Sequence, residues 1–220
     1  MSTDFDAIVI GAGPGGEVAA SRLLAGGLRV ALIERELIGG ECAYWACIPS
    51  KTLLRPVEVR AEAGHAAGLS RPDLDWTGLR NYRDWMVRHL DDTNQVAGYQ
   101  KQGATVSKGT ARLAGRDPWC IEVADQQFTA AHVVVATGSE PVRPPIDGLD
   151  QVPVSTNREA TTLRDIPRRV VMIGGSAVGL ELGQFLARMG SQVTIVQRGP
   201  RLLDREEPAA GLDDRVAAGS

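Results

Sequence analysis

The sequence predicts an α/β fold in which helices join parallel strands. Residues 5–34 and residues 168–198 each contain an apolar strand, a glycine-rich turn, a helix and a second strand. In such a unit the two strands lie parallel, and the helix crosses over one face of the sheet. The pattern occurs twice in 220 residues, a length that accommodates one large domain or two small ones.

The composition is that of an ordinary globular protein. Hydrophobic residues make up 43% and charged residues 23%, which argues against a disordered chain or a coiled coil. The net charge of −3 gives no basic surface for nucleic acid, and no apolar run reaches the roughly 18 residues of a membrane span. The acidic N-terminus does not resemble a signal peptide, and three cysteines do not make a disulfide scaffold. We therefore expect a cytoplasmic protein.

The elements follow in a regular order. Residues 5–10 predict the first strand, and the helix after the turn is predicted to end at Gly26 and Gly27, before a strand at 29–33. Two long helices are expected at about 51–67 and 79–102, and short strands within 104–135. The Pro-rich segment 141–154 predicts a linker, after which the strand–turn–helix–strand pattern repeats.

The first motif is Gly11-x-Gly13-x-x-Gly16, directly after a strand and at the start of a helix. Gly11 permits a tight turn, Gly13 lets the backbone approach a diphosphate, and Gly16 allows helix and strand to pack closely. The helix N-terminus then offers free N–H groups to the anion. Glu34, at the end of the next strand, can accept hydrogen bonds from a ribose. Together these features predict a dinucleotide site rather than a plain glycine turn.

The second motif is Cys42-x4-Cys47. Two buried cysteines, or half of a metal site, are alternative interpretations, but a zinc site needs further ligands. The chain has few other candidates, none in a ligand-like pair: Cys120, His65, His89 and His132. If both cysteines lie on one helix, they are little more than a turn apart, a spacing that favours a redox-active pair over a stabilising disulfide.

These motifs resemble those of a known family, the pyridine nucleotide-disulfide oxidoreductases. Its members include dihydrolipoamide dehydrogenase, glutathione reductase and mercuric reductase. The resemblance extends over residues 5–208 and is carried by these segments in the family's order: GAGPGG at 11–16, Glu34, GGECAYWACIPSK at 39–51, VVVATGSEP at 133–141 and GGSAVGLE at 174–181.

The resemblance implies two domains. Residues 1–150 would form a Rossmann-like FAD-binding domain, with a parallel sheet, a small β-meander and the redox-active disulfide. Residues 151–220 would form the first βαβ unit of a truncated Rossmann-like NAD(P)-binding domain. Electrons would pass from NAD(P)H to FAD, then to the Cys42–Cys47 disulfide and on to a small disulfide or metal-ion substrate.

The resemblance also assigns roles to single residues. Cys42 would be the interchange thiol, Cys47 the thiol nearer the flavin, and Lys51 a buried lysine beside the flavin, paired with Glu181. The residues implied in FAD binding are Gly11, Gly13, Pro14, Gly15, Gly16, Glu34, Arg35, Gly40, Glu41, Lys51, Ala111, Ala136, Thr137 and Gly138. No resident metal site is implied.

The nicotinamide site departs from the family pattern. The implied residues are Gly174, Gly175, Ser176, Ala177, Val178, Gly179 and Arg198. Ser176 replaces the middle glycine, and Ala177 stands where many relatives have a tyrosine. Gln197 replaces the expected acid and Arg198 follows it, which favours NADPH over NADH, although Arg198 could also be a solvated surface residue.

Length is the largest departure, because family members are roughly twice as long. The full form is expected to be an enzyme and a homodimer, without nucleic-acid or membrane partners. The alternatives are a truncated, catalytically inactive FAD-binding fragment and a peroxide-forming flavoprotein oxidase.

Overall fold

The computed structural model describes residues 4–207, which form two compact units. The first comprises the described residues up to Cys47 together with Val87–Pro144. The second comprises Ile48–Met86 and the described residues from Pro145 onwards. Residues 208–220, the end of the predicted second domain, lie outside the described residues.

The first unit is built on a six-stranded sheet with the order β3-β2-β1-β6-β5-β4. The pairs β3–β2, β2–β1 and β1–β6 are parallel, whereas the pairs β6–β5 and β5–β4 are antiparallel and form a meander. The predicted α/β fold with a mostly parallel sheet is thus confirmed. The strands are β1 (Phe5–Ile10), β2 (Val30–Glu34), β3 (Thr105–Lys108), β4 (Ala111–Arg116), β5 (Trp119–Val123) and β6 (Gln126–Val135).

The central strands are buried on both faces, as expected for a parallel sheet covered on both sides. Val9 and Leu32 face one hydrophobic cluster, which includes Ala20 of helix α1 (Pro14–Ala25) and Tyr99 of helix α5 (Thr93–Lys101). Ile8 and Ile33 face the opposite cluster, with residues of the meander. The β1–α1–β2 crossover is therefore fixed from both sides.

The prediction of one long helix at 79–102 is wrong. The segment forms two helices, α4 (Trp76–Met86) and α5, which belong to different units. Between them Arg88, His89 and Leu90 have φ values of 53°, 53° and 60°. Three consecutive residues in the left-handed region cannot continue a right-handed helix, so the chain turns here.

The second unit contains the repeated βαβ pattern. Its two parallel strands, β7 (Arg169–Ile173) and β8 (Gln192–Val196), flank helix α7 (Ala177–Arg188). Phe185 and Leu186 of α7 pack with Leu53 and Leu79 of helices α3 (Cys47–Ala63) and α4. The unit therefore has a hydrophobic core of its own.

The remaining segments are short. Helix α2 is Gly40–Tyr44 in the first unit, and α6 is Asn157–Thr161 in the second. The predicted linker 141–154 is irregular apart from a 3-10 turn at Leu149–Gln151. Among residues 4–207, no helix has the length and apolar character needed to span a membrane.

Candidate active site

The turn between β1 and α1 needs glycine at two positions for reasons of space. Gly11 has φ +94°, and a Cβ there would overlap the Ala136 carbonyl oxygen. A Cβ at Gly16 would overlap the carbonyl oxygen of Gly11. The Gly11 N–H donates to the Ile33 carbonyl at 2.8 Å, which fastens the turn to β2. These contacts explain the close helix–strand packing that the motif predicts.

The other two glycines of the turn are not required by close contacts within the protein. A Cβ at Gly13 would have the Gly40 Cα as its nearest neighbour, at 4.0 Å, and a Cβ at Gly15 would meet nothing within 4 Å. Gly13 is the N-cap of α1, Pro14 follows it, and no side chain caps the helix. The N-terminal amides of α1 are thus presented by a bare backbone, the arrangement that a diphosphate requires.

Glu34 lies beside this turn at the end of β2 and is only 8% exposed. Its Oε2 accepts a hydrogen bond from the Ala12 N–H at 2.7 Å, and its Oε1 accepts one from the Glu36 N–H at 2.8 Å. Two backbone donors thus hold the carboxylate, whose oxygens retain capacity to accept hydroxyl hydrogens. The neighbouring Arg35 pairs instead with Glu140 on the surface.

The segment carrying the cysteines is fastened to the same turn. The Gly39 N–H donates to the Ala12 carbonyl at 2.7 Å. A Cβ at Gly40 would lie 2.7 Å from the Gly13 Cα, so helix α2 begins in contact with the N-cap of α1. Glu41 follows in the first turn of α2. The redox segment and the glycine turn thus form one local structure within the first unit.

Cys42 and Cys47 do not lie on one continuous helix, and that expectation is wrong. Cys42 is in α2 and Cys47 begins α3. The two helices are separated by Trp45 and Ala46, whose N–H groups both donate to the Glu41 carbonyl, at 2.8 and 2.7 Å. This shared carbonyl closes the turn that separates the two helices.

The two thiols are close enough to interact. A hydrogen bond with Cys47 raises the pKa of Cys42 to about 11, with further contributions from burial and from the charge of Cys47. All three cysteines in the described part of the chain are present as thiols. Cys120 is in β5, away from this segment in the sequence.

Lys51 and Glu181 form an ion pair within the second unit, between α3 and α7. The pairing agrees with expectation, but the expected burial does not: the Lys51 side chain is 61% exposed and that of Glu181 39%. Lys51 lies on the outer side of α3, whereas Thr52, Leu53 and Leu54 beside it are buried. Such an exposed pair contributes little to stability.

The second glycine turn has the same construction as the first. Gly174 has φ +105°, its N–H donates to the Val196 carbonyl at 2.9 Å, and a Cβ at Gly179 would overlap the Gly174 carbonyl oxygen. The Gly175 N–H donates to Gln197 Oε1 at 2.8 Å. Ser176 caps α7 by accepting a hydrogen bond from the Gly179 N–H at 3.4 Å.

The other residues of the implied site are found on loops and edges. Ala177, Val178 and Arg198 are exposed near the second turn. Ala136 donates to the Ile10 carbonyl at 2.8 Å, and Thr137 and Gly138 beyond it are exposed. Ala111 begins β4 and is half-buried. Within residues 4–207, no group of three or more His, Cys, Asp or Glu is arranged to hold a metal ion.

Sequence reasoning missed one charged residue of this region. Glu17, in the first turn of α1, acts electrostatically on Cys42, and burial raises the pKa of its carboxyl above the usual range. Arg88 opposes that increase, as does a hydrogen bond from Tyr99. A carboxylate directly after the glycine turn was the available signal for this residue.

Comparison with known proteins identifies the class. The family model "pyridine nucleotide-disulphide oxidoreductase" matches residues 5–216, so the chain belongs to this family. Family membership implies FAD and a nicotinamide nucleotide as cofactors, in agreement with the two glycine turns.

Particular relatives agree with this assignment. The chain is 37% identical over 224 residues to a mercuric reductase of Streptomyces lividans, covering 96% of this chain and 47% of that protein. It is 40% identical over 215 residues to a dihydrolipoyl dehydrogenase of Thermus scotoductus, covering 93% and 45%. The structure of the HOCl-induced flavoprotein disulfide reductase RclA from Escherichia coli matches with a TM-score of 0.78 and 27% identity, covering 92% of this chain and 44% of that one.

The chain spans about half the length of the curated relatives that it matches. These relatives are flavin-dependent oxidoreductases by family, and they differ in substrate. The family and the fold are thereby established, whereas the activity of this chain is a matter for proposal.

Proposed function

We propose that this chain is the cofactor-binding half of a flavin-dependent disulfide oxidoreductase, with Cys42 and Cys47 as its redox pair. The observation that carries the proposal is the contact of Gly40 with Gly13, which joins the cysteine segment to a glycine turn suited to a diphosphate. The thiol–thiol hydrogen bond between the two cysteines adds to it.

The first unit would hold FAD. The bare N-terminus of α1, at Gly13, Gly15 and Gly16, would bind its diphosphate, and Glu34 would accept the ribose hydroxyls. The space at Gly13 supports this fit, because a Cβ there would come no closer than 4.0 Å to its nearest protein neighbour, the Gly40 Cα, so protein packing alone does not require glycine. Bound FAD supplies a two-electron carrier between a nicotinamide and a disulfide.

The cysteines would exchange electrons with the substrate by thiol–disulfide chemistry. The Cys42 thiolate attacks one sulfur of a small disulfide, its S–S bond breaks, and one thiol leaves. Cys47 then attacks the Cys42 sulfur and releases the second thiol. The protein dithiol becomes the Cys42–Cys47 disulfide, and two electrons reduce the substrate to two thiols. A thiol-binding metal ion such as Hg²⁺, named for several relatives, is the other candidate substrate.

The second unit would bind the nicotinamide nucleotide, with NADPH preferred over NADH. Gln197 occupies the place that Glu34 has in the first unit, so the repulsion between a carboxylate and a 2′-phosphate is absent. Arg198 follows on the exposed side and offers a positive charge. We further propose a cytoplasmic homodimer for the full form, consistent with the family resemblance.

The test reconstitutes the purified chain with FAD and follows flavin absorbance. We expect bound flavin that is bleached by dithiothreitol in the wild type, and a much slower bleaching in the Cys47→Ser variant. Cys120→Ser is the matched control and should behave like the wild type. Bound flavin that is bleached at the same rate in the wild type and in Cys47→Ser would favour the inactive fragment. A chain that retains no flavin at a tenfold excess of FAD would contradict FAD binding.

A further inference from the structure

The segment that carries the two cysteines is attached to the protein core by one side chain. Among residues 40–47, all of which the structure describes, Tyr44 is the only one that is fully buried. Tyr44 is 0% exposed, whereas Cys42 is half-buried and Cys47 is exposed. It ends helix α2, two residues after Cys42 and three residues before Cys47. Any displacement of this segment therefore has to expose a large aromatic ring to water, which is unfavourable.

Contacts of three kinds hold the Tyr44 side chain. Its hydroxyl donates a hydrogen bond to the Ile38 carbonyl at 3.2 Å. Its ring lies against Gly39, where an added Cβ would be 3.1 Å from the ring carbon Cε2. The Arg88 guanidinium lies 5.9 Å from the ring centre, within the range of a cation–π contact. Burial raises the pKa of the Tyr44 hydroxyl, although Arg88 opposes that increase, so the hydroxyl is protonated at neutral pH and can donate.

The acceptor of the Tyr44 hydrogen bond is itself fixed. Ile38 is fully buried, and its N–H donates to Asp92 Oδ2 at 2.7 Å. The same carboxylate oxygen pairs with Lys108 Nζ at 2.6 Å, at the end of β3. The hydroxyl of Tyr44 therefore connects α2 to a segment that is held by the edge of the sheet.

We propose that Tyr44 is a positioning residue that holds the Cys42 and Cys47 thiols at the spacing needed for their disulfide. The proposal rests on the redox function proposed above, and the resemblance assigns no role to Tyr44. The two thiols are already within hydrogen-bonding reach of each other. Groups that are held together beforehand lose little further freedom when a bond forms between them, so the disulfide is favoured. Without the buried ring, α2 can move away from the start of α3, and the disulfide becomes less stable relative to the dithiol.

The experiment measures the dithiol–disulfide equilibrium of the 220-residue chain without flavin. The chain carries Cys120→Ser, so that Cys42 and Cys47 are its only cysteines. It is equilibrated with mixtures of reduced and oxidised dithiothreitol. When the protein disulfide forms, oxidised dithiothreitol takes two electrons and two protons from the two thiols and becomes the reduced form. Acid quenching, alkylation and mass spectrometry give the fraction of disulfide, from which the equilibrium constant follows.

We expect Tyr44→Leu, which removes the ring and the hydroxyl but stays apolar, to lower the equilibrium constant for disulfide formation about tenfold. That change corresponds to a midpoint potential about 30 mV less negative. Tyr44→Phe, which removes the hydroxyl alone, should lower the constant about threefold. The matched controls are Tyr99→Leu and Tyr99→Phe, because Tyr99 is a buried tyrosine of the same unit whose hydroxyl lies 3.4 Å from the Glu17 carbonyl oxygen. Both should leave the constant unchanged.

The equilibrium constant separates positioning from general stabilisation. A residue that only stabilises the fold contributes equally to the dithiol and disulfide forms, so its loss leaves the constant unchanged. A constant that is unchanged in Tyr44→Leu, or that falls as much in Tyr99→Leu, would overturn the proposal. If circular dichroism shows that Tyr44→Leu does not fold, Tyr44→Phe decides, and a constant equal to that of the parent chain overturns the proposal. Failure of FAD binding would instead contradict the proposed function and leave this result intact.

Discussion

The two glycine turns of this chain have the same backbone design but different side chains. In each, a backbone N–H donates to a side chain 22 residues later: Ala12 to Glu34 in the first turn and Gly175 to Gln197 in the second. In each, the last glycine of the motif packs against the carbonyl of the first glycine, with Gly16 against Gly11 and Gly179 against Gly174. The shared contacts define the fold of a nucleotide-binding unit.

The differences concern the groups that a nucleotide would meet. Gly13 leaves the N-terminus of α1 bare, whereas Ser176 caps α7 with its hydroxyl. Glu34 is an anion that can accept ribose hydrogens, whereas Gln197 is neutral and is followed by Arg198. Packing within the protein therefore requires the first and last glycines of each turn, whereas the middle position and the residue at the strand end differ between the two turns.

The largest effect is expected for a substitution that disrupts the packing of the first turn. Gly16→Ala places a Cβ on the Gly11 carbonyl and should cost about 3 kcal/mol or more of unfolding free energy. Gly15→Ala meets nothing within 4 Å and should be neutral or stabilising by up to about 1 kcal/mol. Urea unfolding of both variants checks the contrast, and equal stabilities would contradict the packing argument.

The next largest effect is expected for Gly13→Ser, which gives the first glycine turn the capping serine that the second turn has at Ser176. Gly13→Ser supplies a cap to α1, so stability should stay within about 1 kcal/mol of the wild type. The added side chain should occupy space needed by the diphosphate and weaken FAD binding by about tenfold or more. Denaturation and FAD titration of the same sample separate the two effects; undiminished FAD affinity would argue against a diphosphate at Gly13.

A third effect is expected for the reverse exchange, in which the second glycine turn receives the glutamate that the first turn has at Glu34. Gln197→Glu keeps an acceptor for the Gly175 N–H and adds a negative charge near the expected 2′-phosphate. We expect NADPH affinity to fall by about tenfold while NADH affinity is kept, because the added carboxylate repels the 2′-phosphate that only NADPH carries. Fluorescence titration with both nucleotides measures this. Arg198→Gln should lower the same preference, and equal NADPH and NADH binding by the wild type would refute the assignment.

The smallest expected effect concerns the cap of α7. Ser176→Ala removes the hydroxyl that accepts from the Gly179 N–H and should cost about 1 kcal/mol. For a protein of this size, that corresponds to a decrease in Tm of about 2–4 °C. Thr156, which caps α6, offers a matched Ala variant with a comparable decrease. A change of less than half a degree at Ser176 would show that its hydroxyl serves another purpose.

Much of this design could be predicted from the sequence because it is local. Gly11, Gly16 and Glu34 lie within one strand–turn–helix–strand unit, whose geometry follows from short spacings. The contact of Gly40 with Gly13 could not be predicted, because it joins two segments that are separated in the sequence. The interruption of the helix at Arg88–Leu90 could not be predicted either, because nothing in the helix-like pattern of 79–102 requires positive φ values.

We propose that the two turns bind different nucleotides, FAD at Glu34 and a nicotinamide nucleotide at Gln197. The most direct measurement is FAD titration of Glu34→Gln and Gln197→Glu beside the wild type, under one set of conditions. We expect a loss of FAD affinity of about tenfold or more for Glu34→Gln and no loss for Gln197→Glu. Equal FAD affinity in all three proteins, or a loss in Gln197→Glu alone, would contradict it.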